Sequence, residues 1–362
     1  DWSRTPLGAV SSWSDTLTTA LDLCLGSRMC SCIYWGGDHL IIYNDAYASI
    51  LGAKHPQALG QPAAAVWPEI FDVIGPLMAR TFTRGETTGA DDAAIFLNRS
   101  GYVEEFYCSF SYAPLRNQQG EIEAVFAITP ETSVRVIGER RLRTLQQLGA
   151  DARAARAAQD TLQIAADVVS ANPCDIPFAA LYTWRNDSNE AQICATANIE
   201  VGQPLSPATI ALNQPGLIPA AISRSLVEGY AVIELDRSHE PIPLGAWKAP
   251  ARQLIVLVLQ PYGNAASRAI VLAAISPHKA LDSEHLAFFR MLADQLRRSL
   301  SDAISHEQED LRLQNAVRRL RADQASERVR IARDLHDTLL QSMQGMRFLL
   351  EAGLVQARAG DA

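Results

Sequence analysis

Short runs of strand-forming residues dominate the pattern of the first 130 positions. Residues 31–35 and 40–43 flank the turn sequence Gly36-Gly37-Asp38, which predicts a β-hairpin. A helix is predicted to begin at Asn44, and a helical segment punctuated by proline follows at 66–84. Three further strands are predicted at 92–97, 102–113 and 122–129. This order predicts a small antiparallel sheet with helices on one face.

The second half of the chain repeats the alternation of helix and strands. One connecting helix is predicted over 139–170, which is rich in Ala, Arg, Leu and Gln and contains no proline. A helix with apolar residues at helical spacing is predicted over 283–304. Between them, five apolar runs predict strands at 176–184, 190–199, 229–236, 252–262 and 268–277. The pattern as a whole predicts an α+β fold with two sheet-containing domains.

A long helix is predicted at the C-terminal end, because residues 285–354 contain no proline. Its apolar stripe runs through Leu296, Leu300, Ile304 and Leu311, and then continues at a shifted phase through Leu313, Val317 and Leu320. One helix cannot bury such a stripe, so the pattern predicts a homodimer through parallel helices that form a coiled coil. A helix packed back on its own domain is the alternative.

The composition is that of a globular protein of two or three domains, with 362 residues, 48% hydrophobic and 20% charged. A formal charge of -8 argues against direct nucleic-acid binding. No apolar run of about 18 residues and no signal peptide occur, so we expect no membrane span in this chain and a cytoplasmic location. The chain starts at Asp1 rather than Met, which leaves an upstream membrane segment open. The six cysteines form no CxxC pair and no zinc-ligand spacing, so we expect reduced thiols and no metal site.

The segment 327–341, ERVRIARDLHDTLLQ, carries the clearest chemical signal. On a helix, one stripe that would face a partner helix consists of Ile331, Leu335, Leu339, Ser342, Met346 and Leu349. His336 lies about 100° round from Leu335, at the edge of that stripe. Histidine has an ordinary pKa of about 6.5, so a neutral ring nitrogen that can attack the γ-phosphorus of ATP is available near pH 7. A solvated His-Asp pair on a surface helix is the alternative interpretation.

The pattern RIARDLHDTLLQ resembles the phosphoacceptor helix of the histidine-kinase class that usually signals to response regulators with LuxR-type DNA-binding domains. The resemblance implies that His336 is phosphorylated and that Asp337 accepts a hydrogen bond from its other ring nitrogen. It also implies that Gln341 orients the water that hydrolyses the phospho-aspartate of the regulator, which would make the protein both kinase and phosphatase. ATP and Mg²⁺ would be used by the full-length kinase. This chain holds neither a Gly-rich phosphate loop nor a second bundle helix, so we expect it not to bind ATP and to be inactive alone.

The sensory half resembles two known domain families. The motifs YWGGDHLIIYNDAYASILG and EEFYCSFSYAPLRNQQGEIEAVFAI resemble a PAS domain, and the following layout of strands and helices resembles a GAF domain. The implied division is an N-terminal helical cap (1–24), a PAS sensor domain (25–135), a connecting helix (136–160), a GAF domain (161–300), a coiled-coil linker (301–325) and the truncated first helix of a dimerisation and histidine phosphotransfer domain (326–362).

The sensory ligand is not identified by the sequence. Aromatic side chains in the PAS-like region that would line a ligand pocket, or simply form core, are Trp35, Tyr43, Tyr47, Trp67, Phe71, Tyr107 and Tyr112. A rival function is a dimeric small-molecule-binding receptor or scaffold without kinase activity. A third hypothesis makes the GAF-like domain a dimerisation spacer only.

Overall fold

The first domain is a sheet enclosed by helices on both faces. The computed structural model describes residues 2–236, 239, 242–262 and 267–359, with side chains as far as residue 353. The elements of the first domain are α1 (Asp15–Gly26), β1 (Ser31–Trp35), β2 (Leu40–Tyr43), α2 (Asp45–Leu51), α3 (Ala63–Val66), α4 (Phe71–Arg84), β3 (Thr88–Leu97), β4 (Glu104–Arg116) and β5 (Ile122–Ile128). The five strands pair antiparallel in the order β2-β1-β5-β4-β3. Helices α2, α3 and α4 pack on one face, and α1 packs on the other.

Asn44 shows why the hairpin and the next helix form where the sequence predicts them. Its side-chain oxygen accepts hydrogen bonds from the backbone N–H of Tyr47 and of Ser31, at 3.0 and 3.2 Å. The first contact caps α2, and the second holds the start of β1. Its amide nitrogen donates to the carbonyl oxygens of Cys24, Ser27 and Met29, which closes the end of α1. The predicted hairpin and helix start are confirmed.

The second domain is a six-stranded antiparallel sheet in the order β8-β7-β6-β11-β10-β9. Its elements are α5 (Ser133–Asp151), α6 (Ala158–Ser170), β6 (Ala179–Arg185), β7 (Glu190–Ala197), β8 (Thr209–Ala211), α7 (Leu217–Glu228), β9 (Ala231–Glu234), β10 (Gln253–Leu259), β11 (Ser267–Ile275) and α8 (Ser283–Ala359). In β10, Leu254 and Val256 enter the cluster that includes α7, whereas Ile255 and Leu257 enter the cluster formed with α5, α6 and α8. Because both faces are covered, the central strands read as continuous apolar runs.

The sequence prediction differs from the structure at the connection between the domains. The stretch 139–170, predicted as one helix, is divided into α5 and α6. Neither glycine nor proline ends α5; instead, Ala152 and Ala155 are buried where the chain turns, and α6 packs back against α5. The short strand β8 and helix α7 were not predicted. At the division between α5 and α6, tertiary packing overrides the local propensity.

Helix α8 has 77 residues, so it is about 115 Å long. Its first turns pack on the second domain through Phe289, Leu292, Leu296 and Leu300. From residue 305 to residue 353 every side chain is exposed. This part of the helix is therefore not packed on its own domain, which was the alternative to a dimer. No helix among the described residues is both long and apolar enough to cross a membrane.

Buried ion pairs join the two domains. The guanidinium of Arg140, on α5, forms two hydrogen bonds with the carboxylate of Glu105 on β4, at 2.7 and 3.2 Å. Its Nε donates to Asp175, just before β6, at 2.7 Å, and the same carboxylate accepts from Nε of Arg141 at 2.9 Å. The side chains of Glu105 and Asp175 are each 1% exposed. Burial alone would raise the pKa of Asp175, but Arg140 and Arg141 hold that pKa below its ordinary value.

His285 lies beneath this cluster in the first turn of α8, with no exposed surface. Its Nδ1 is 3.2 Å from the carbonyl oxygen of Ala280, and its ring stacks on Phe289 at a centroid distance of 5.3 Å. Burial, followed by the positive charge of Arg141, lowers the pKa of His285 to about 4. The imidazole is therefore neutral at pH 7, and Nδ1–H donates to Ala280.

We expect Arg140→Met to lower the free energy of unfolding by about 3 kcal/mol, because it leaves two buried carboxylates short of a partner. Urea denaturation monitored by circular dichroism measures this change. The control is Arg135→Met on the same helix. Arg135 is half exposed and pairs with Asp92 and Glu139, so its loss should change the free energy of unfolding much less than the loss of Arg140. Equal effects of the two substitutions would contradict the role given to Arg140.

We expect the stability of the second domain to fall as the pH is lowered from about 6.5 to about 4. In this window the unfolded chain protonates His285 and the folded chain does not, so the free energy of unfolding falls by up to about 1.4 kcal/mol per pH unit. The urea midpoint measured against pH should lose this slope in His285→Gln. A wild-type slope in His285→Gln would show that another group titrates.

Candidate functional site

His336 projects from the exposed part of α8, far along the helix from both sheets. Its side chain is exposed and has no hydrogen-bonding partner among the described residues. One turn before it on the same side lies Arg333, and one turn after it lie Leu339 and Leu340. Both ring nitrogens are therefore open to an approaching molecule.

Asp337 and Gln341 are also exposed and lie one helical turn apart, so their side chains occupy one side of α8. Within the described chain neither of them is hydrogen-bonded to His336. Adjacent helical residues point about 100° apart, so a contact from Asp337 to the ring needs a change of side-chain rotamer. The three predicted site residues lie within one and a half turns of the helix. Among the described residues, no hydrogen bond joins the side chain of His336 to those of Asp337 and Gln341.

The charged residues before His336 differ in whether they are paired. Arg330 binds Glu327 at 2.6 Å and Asp334 at 3.2 Å, both within one turn of the helix. Arg333 forms no ion pair with any described residue. It is the cation closest in sequence to His336, and it was not singled out from the sequence, although a separation of three residues on a helix indicates it. A phosphoryl group on His336 would meet this positive charge.

The same part of α8 presents an unburied apolar surface. Large apolar side chains that are at least 45% exposed are Val329, Ile331, Leu335, Leu339, Leu340, Met343, Met346, Phe348, Leu349 and Leu350. A continuous apolar surface of this length is typical of an interface and not of a monomer. His336 therefore stands on a helix whose apolar surface is not covered by any described part of the same chain.

The seven aromatic residues predicted to line a ligand pocket fall into two groups. Tyr47, Trp67 and Tyr112 line a cavity of 30 Å³ in the first domain, with Tyr43 and Phe71 in the surrounding core. Trp35 and Tyr107 lie elsewhere. Trp35 packs with α1 on the opposite face of the sheet, and the hydroxyl of Tyr107 donates to Glu105 at the domain junction. Alternation along β1 and β4 explains this division.

The cavity has a polar side formed by two tyrosines. The hydroxyls of Tyr34 and Tyr47 are 3.2 Å apart, and burial raises the pKa of both well above its ordinary value. Burial also raises the pKa of the neighbouring thiol of Cys108 to about 12. These groups are therefore protonated and neutral at physiological pH. A space of 30 Å³ has room for one or two water molecules.

Residues 327–362 match the sequence profile of the histidine kinase family HisKA_3. The matched segment contains His336, Asp337 and Gln341. The match covers a small part of the chain, the C-terminal segment that contains these three residues. No curated protein matches the chain.

Solved structures with partial likeness include sensory domains. The GAF domain of an Acinetobacter phosphoenolpyruvate-protein phosphotransferase is 15% identical over 45% of this chain and 94% of its own, with a TM-score of 0.33. A sensory box sensor histidine kinase from Vibrio cholerae is 18% identical over 32% of this chain and 85% of its own, with a TM-score of 0.23. The photosensory core module of a Stigmatella aurantiaca phytochrome is 14% identical over 80% of this chain and 61% of its own, with a TM-score of 0.32. Similarities this low carry no functional assignment.

Proposed function

We propose that this chain is the sensory and phosphoacceptor portion of a two-component sensor histidine kinase, and that His336 carries the phosphoryl group. The observation that supports this most is an exposed, unpartnered imidazole within the segment that matches the histidine kinase family. A structural histidine would be packed or hydrogen-bonded, as His285 is. His336 has neither kind of restraint.

In the proposed reaction a ring nitrogen of His336 attacks the γ-phosphorus of ATP, the N–P bond forms, and ADP leaves as the P–O bond breaks. The proton on the other ring nitrogen is shared with Asp337, which stabilises the imidazolium as it forms. Arg333 adds a positive charge beside the transferred phosphoryl group. ATP and Mg²⁺ belong to a catalytic domain of the full-length kinase, which would approach α8 from the exposed side.

The proposed kinase is a homodimer through parallel α8 helices. Isolated helices are marginal in water, and most of their stability in proteins comes from burying an apolar face. Two copies would bury the apolar surface around Leu335 against each other. Since His336 lies about 100° from Leu335, it would remain accessible at the edge of the interface.

The partner of the phosphorylated form is a response regulator, in keeping with the class of histidine kinases that pairs with LuxR-type regulators. Its aspartate would take the phosphoryl group from His336. Gln341, one turn from Asp337, would then hold the water that hydrolyses the phospho-aspartate. The protein would thus act as kinase and as phosphatase, in a cytoplasmic setting.

This chemistry would be controlled by the two sheet-containing domains. The first would act as a PAS sensor domain and the second as a GAF sensor domain. The cavity beside Tyr47, Trp67 and Tyr112 is the proposed ligand site of the first domain, and a ligand larger than water has to displace a core ring there. Such a displacement strains a close-packed core and provides a means of switching.

We expect His336→Gln in the full-length protein to abolish incorporation of phosphate from ATP, because glutamine has no nucleophilic ring nitrogen. The assay is labelling with [γ-³²P]ATP, with acid lability of the label as a mark of phosphohistidine. The matched control is His306→Gln, a second exposed histidine of the same helix, which should label normally. Undiminished labelling of His336→Gln would overturn the proposal and favour a receptor or scaffold.

We expect Gln341→Ala to leave labelling of His336 within about twofold of wild type and to slow dephosphorylation of the regulator by at least about tenfold, an effect typical of a single positioning group. The measurement is the decay of the label on the regulator in the presence of each variant. Gln324→Ala, an exposed glutamine earlier on α8, is the control. Equal decay rates for Gln341→Ala and wild type would contradict the phosphatase role.

A further inference from the structure

Helices α5 and α8 lie side by side on the second domain and leave a groove between them. Two adjoining segments of the groove have volumes of 320 and 840 Å³ and share Leu145 as a lining residue. The α5 side includes Val134, Gly138, Leu142, Leu145 and Gly149, which lie at spacings of three and four residues and so share one face. No described part of the chain covers this groove, which we call the α5/α8 groove.

Apolar side chains of the α5/α8 groove are exposed to water. Val134 is 75% exposed, Leu142 is 54% exposed, and Met291 on α8 is 51% exposed. They are not scattered, because all three line the 320 Å³ segment. Grouped apolar exposure of this kind is typical of an interaction surface.

The α8 side of the groove is in phase with the apolar stripe farther along the helix. Gln295 lines the groove, and Leu313, Ile331 and Leu349 follow it at intervals of 18 residues. At 3.6 residues per turn, 18 residues make five whole turns, so these four side chains lie along one line of an uninterrupted helix. The last three are exposed apolar residues. The α5/α8 groove therefore lies on the same face of α8 as Leu313, Ile331 and Leu349, toward the N-terminal end of the helix.

We propose that the α5/α8 groove is the part of the homodimer interface that lies on the second domain, and that its occupant is a second copy of this chain. This inference rests on the homodimer of the proposed function and extends it from the phosphoacceptor helix to the second domain. In a parallel dimer with a two-fold axis along α8, the groove of one copy receives the same face of the other. Helices α5 and α8 of both copies then form a four-helix bundle on the sensory domains.

Continuity selects a second copy over another occupant. In the proposed dimer, Leu313 and Ile331 of one copy meet the same residues of the other copy across a two-fold axis. Gln295 lies on the same face of α8, so it also faces the axis. The α5/α8 groove of one copy therefore faces the groove of the other. A stable interface buries about 800 Å² of surface per partner. A four-helix bundle at the second domain would add buried area to a contact that otherwise consists of two single helices.

The polar residues of the groove also fit a symmetric pairing. Arg298 and Asp302 line it one turn apart, so the long side chain of Arg298 in one copy can extend along the interface toward Asp302 of the other copy. Gln295 occupies the central line, where a polar residue of a helical interface specifies the register. The groove thus carries both the apolar area and the register signals of a self-complementary surface.

The test is cross-linking of single added cysteines in the full chain with a short bismaleimide, against wild-type chain as the background for its own thiols. Leu142→Cys faces the groove, whereas Arg143→Cys is also exposed, points about 100° away around α5 and does not line the groove. Leu313→Cys reports on the seam itself. We expect strong cross-linking at positions 142 and 313 and several-fold less at position 143.

Each other outcome is informative. Cross-linking at 313 without cross-linking at 142 overturns this inference and leaves the proposed kinase dimer intact. A chain that is monomeric by light scattering and cross-links at neither position overturns both. Equal cross-linking at 142 and 143 indicates random collision and also overturns the inference.

A second measurement uses charge in place of cysteine. We expect Leu142→Glu to weaken self-association of the full chain about tenfold, which corresponds to about 1.4 kcal/mol, while Arg143→Glu changes it less than about twofold. Both side chains are exposed in the single chain, so circular dichroism should show folded protein for each. Unchanged self-association of Leu142→Glu in analytical ultracentrifugation counts against the groove.

Discussion

An apolar stripe that its own chain leaves in water is the constraint on which the rest of this structure depends. Helix α8 contributes Phe289, Leu292 and Leu296 to the core of the second domain and then continues for about fifty residues with no cover. A large apolar side chain gains about 1.5–3 kcal/mol when it is fully buried. The stripe holds many of them, so the free chain is far from its most stable arrangement. In the proposed dimer, association of two helices would remove this cost, and it would also place His336 at a boundary between protein and solvent.

Helix α5 connects the junction of the domains to the dimer surface. Arg140 and Arg141 bind Glu105 and Asp175 at the centre of the junction, and the very next residue, Leu142, faces the α5/α8 groove. A helix moves as a rigid element over so short a distance. A rotation of the first domain that pulls on Glu105 would therefore turn Leu142 against the facing copy. Buried ion pairs suit this role, because they hold one geometry and resist intermediate ones.

The sequence predicts those parts of the molecule whose cause is local. The hairpin and the start of α2 follow from turn chemistry and from the capping side chain of Asn44, and the phosphoacceptor segment follows from a contiguous motif. The ion pairs at the junction could not be predicted, since Glu105 and Asp175 each lie 35 residues from Arg140 and meet it only after both sheets have formed. The break at residues 155–157 is similar, because its cause is burial and no residue there disfavours helix. Two of the seven predicted pocket aromatics, Trp35 and Tyr107, lie outside both the cavity and its surrounding core, because register within a sheet decides the face to which a strand residue points.

The path of the apolar stripe explains why His336 lies beside the interface rather than opposite it. From Ile331 through Leu335 and Leu339 to Met343 the apolar residues follow one another every four positions. Each such step advances about 40° around the helix, so this row of side chains winds away from the straight line on which Leu313, Ile331 and Leu349 lie. By Met343, which is seven residues after His336, it has come within about 20° of the direction of the imidazole. A stripe that winds in this way can be buried only if the helices coil or rotate about each other. Any change in the rotation of the two α8 helices would alter how much of the His336 imidazole the second copy covers. The packing of α8 would thereby control whether a nucleotide-bearing domain can reach His336.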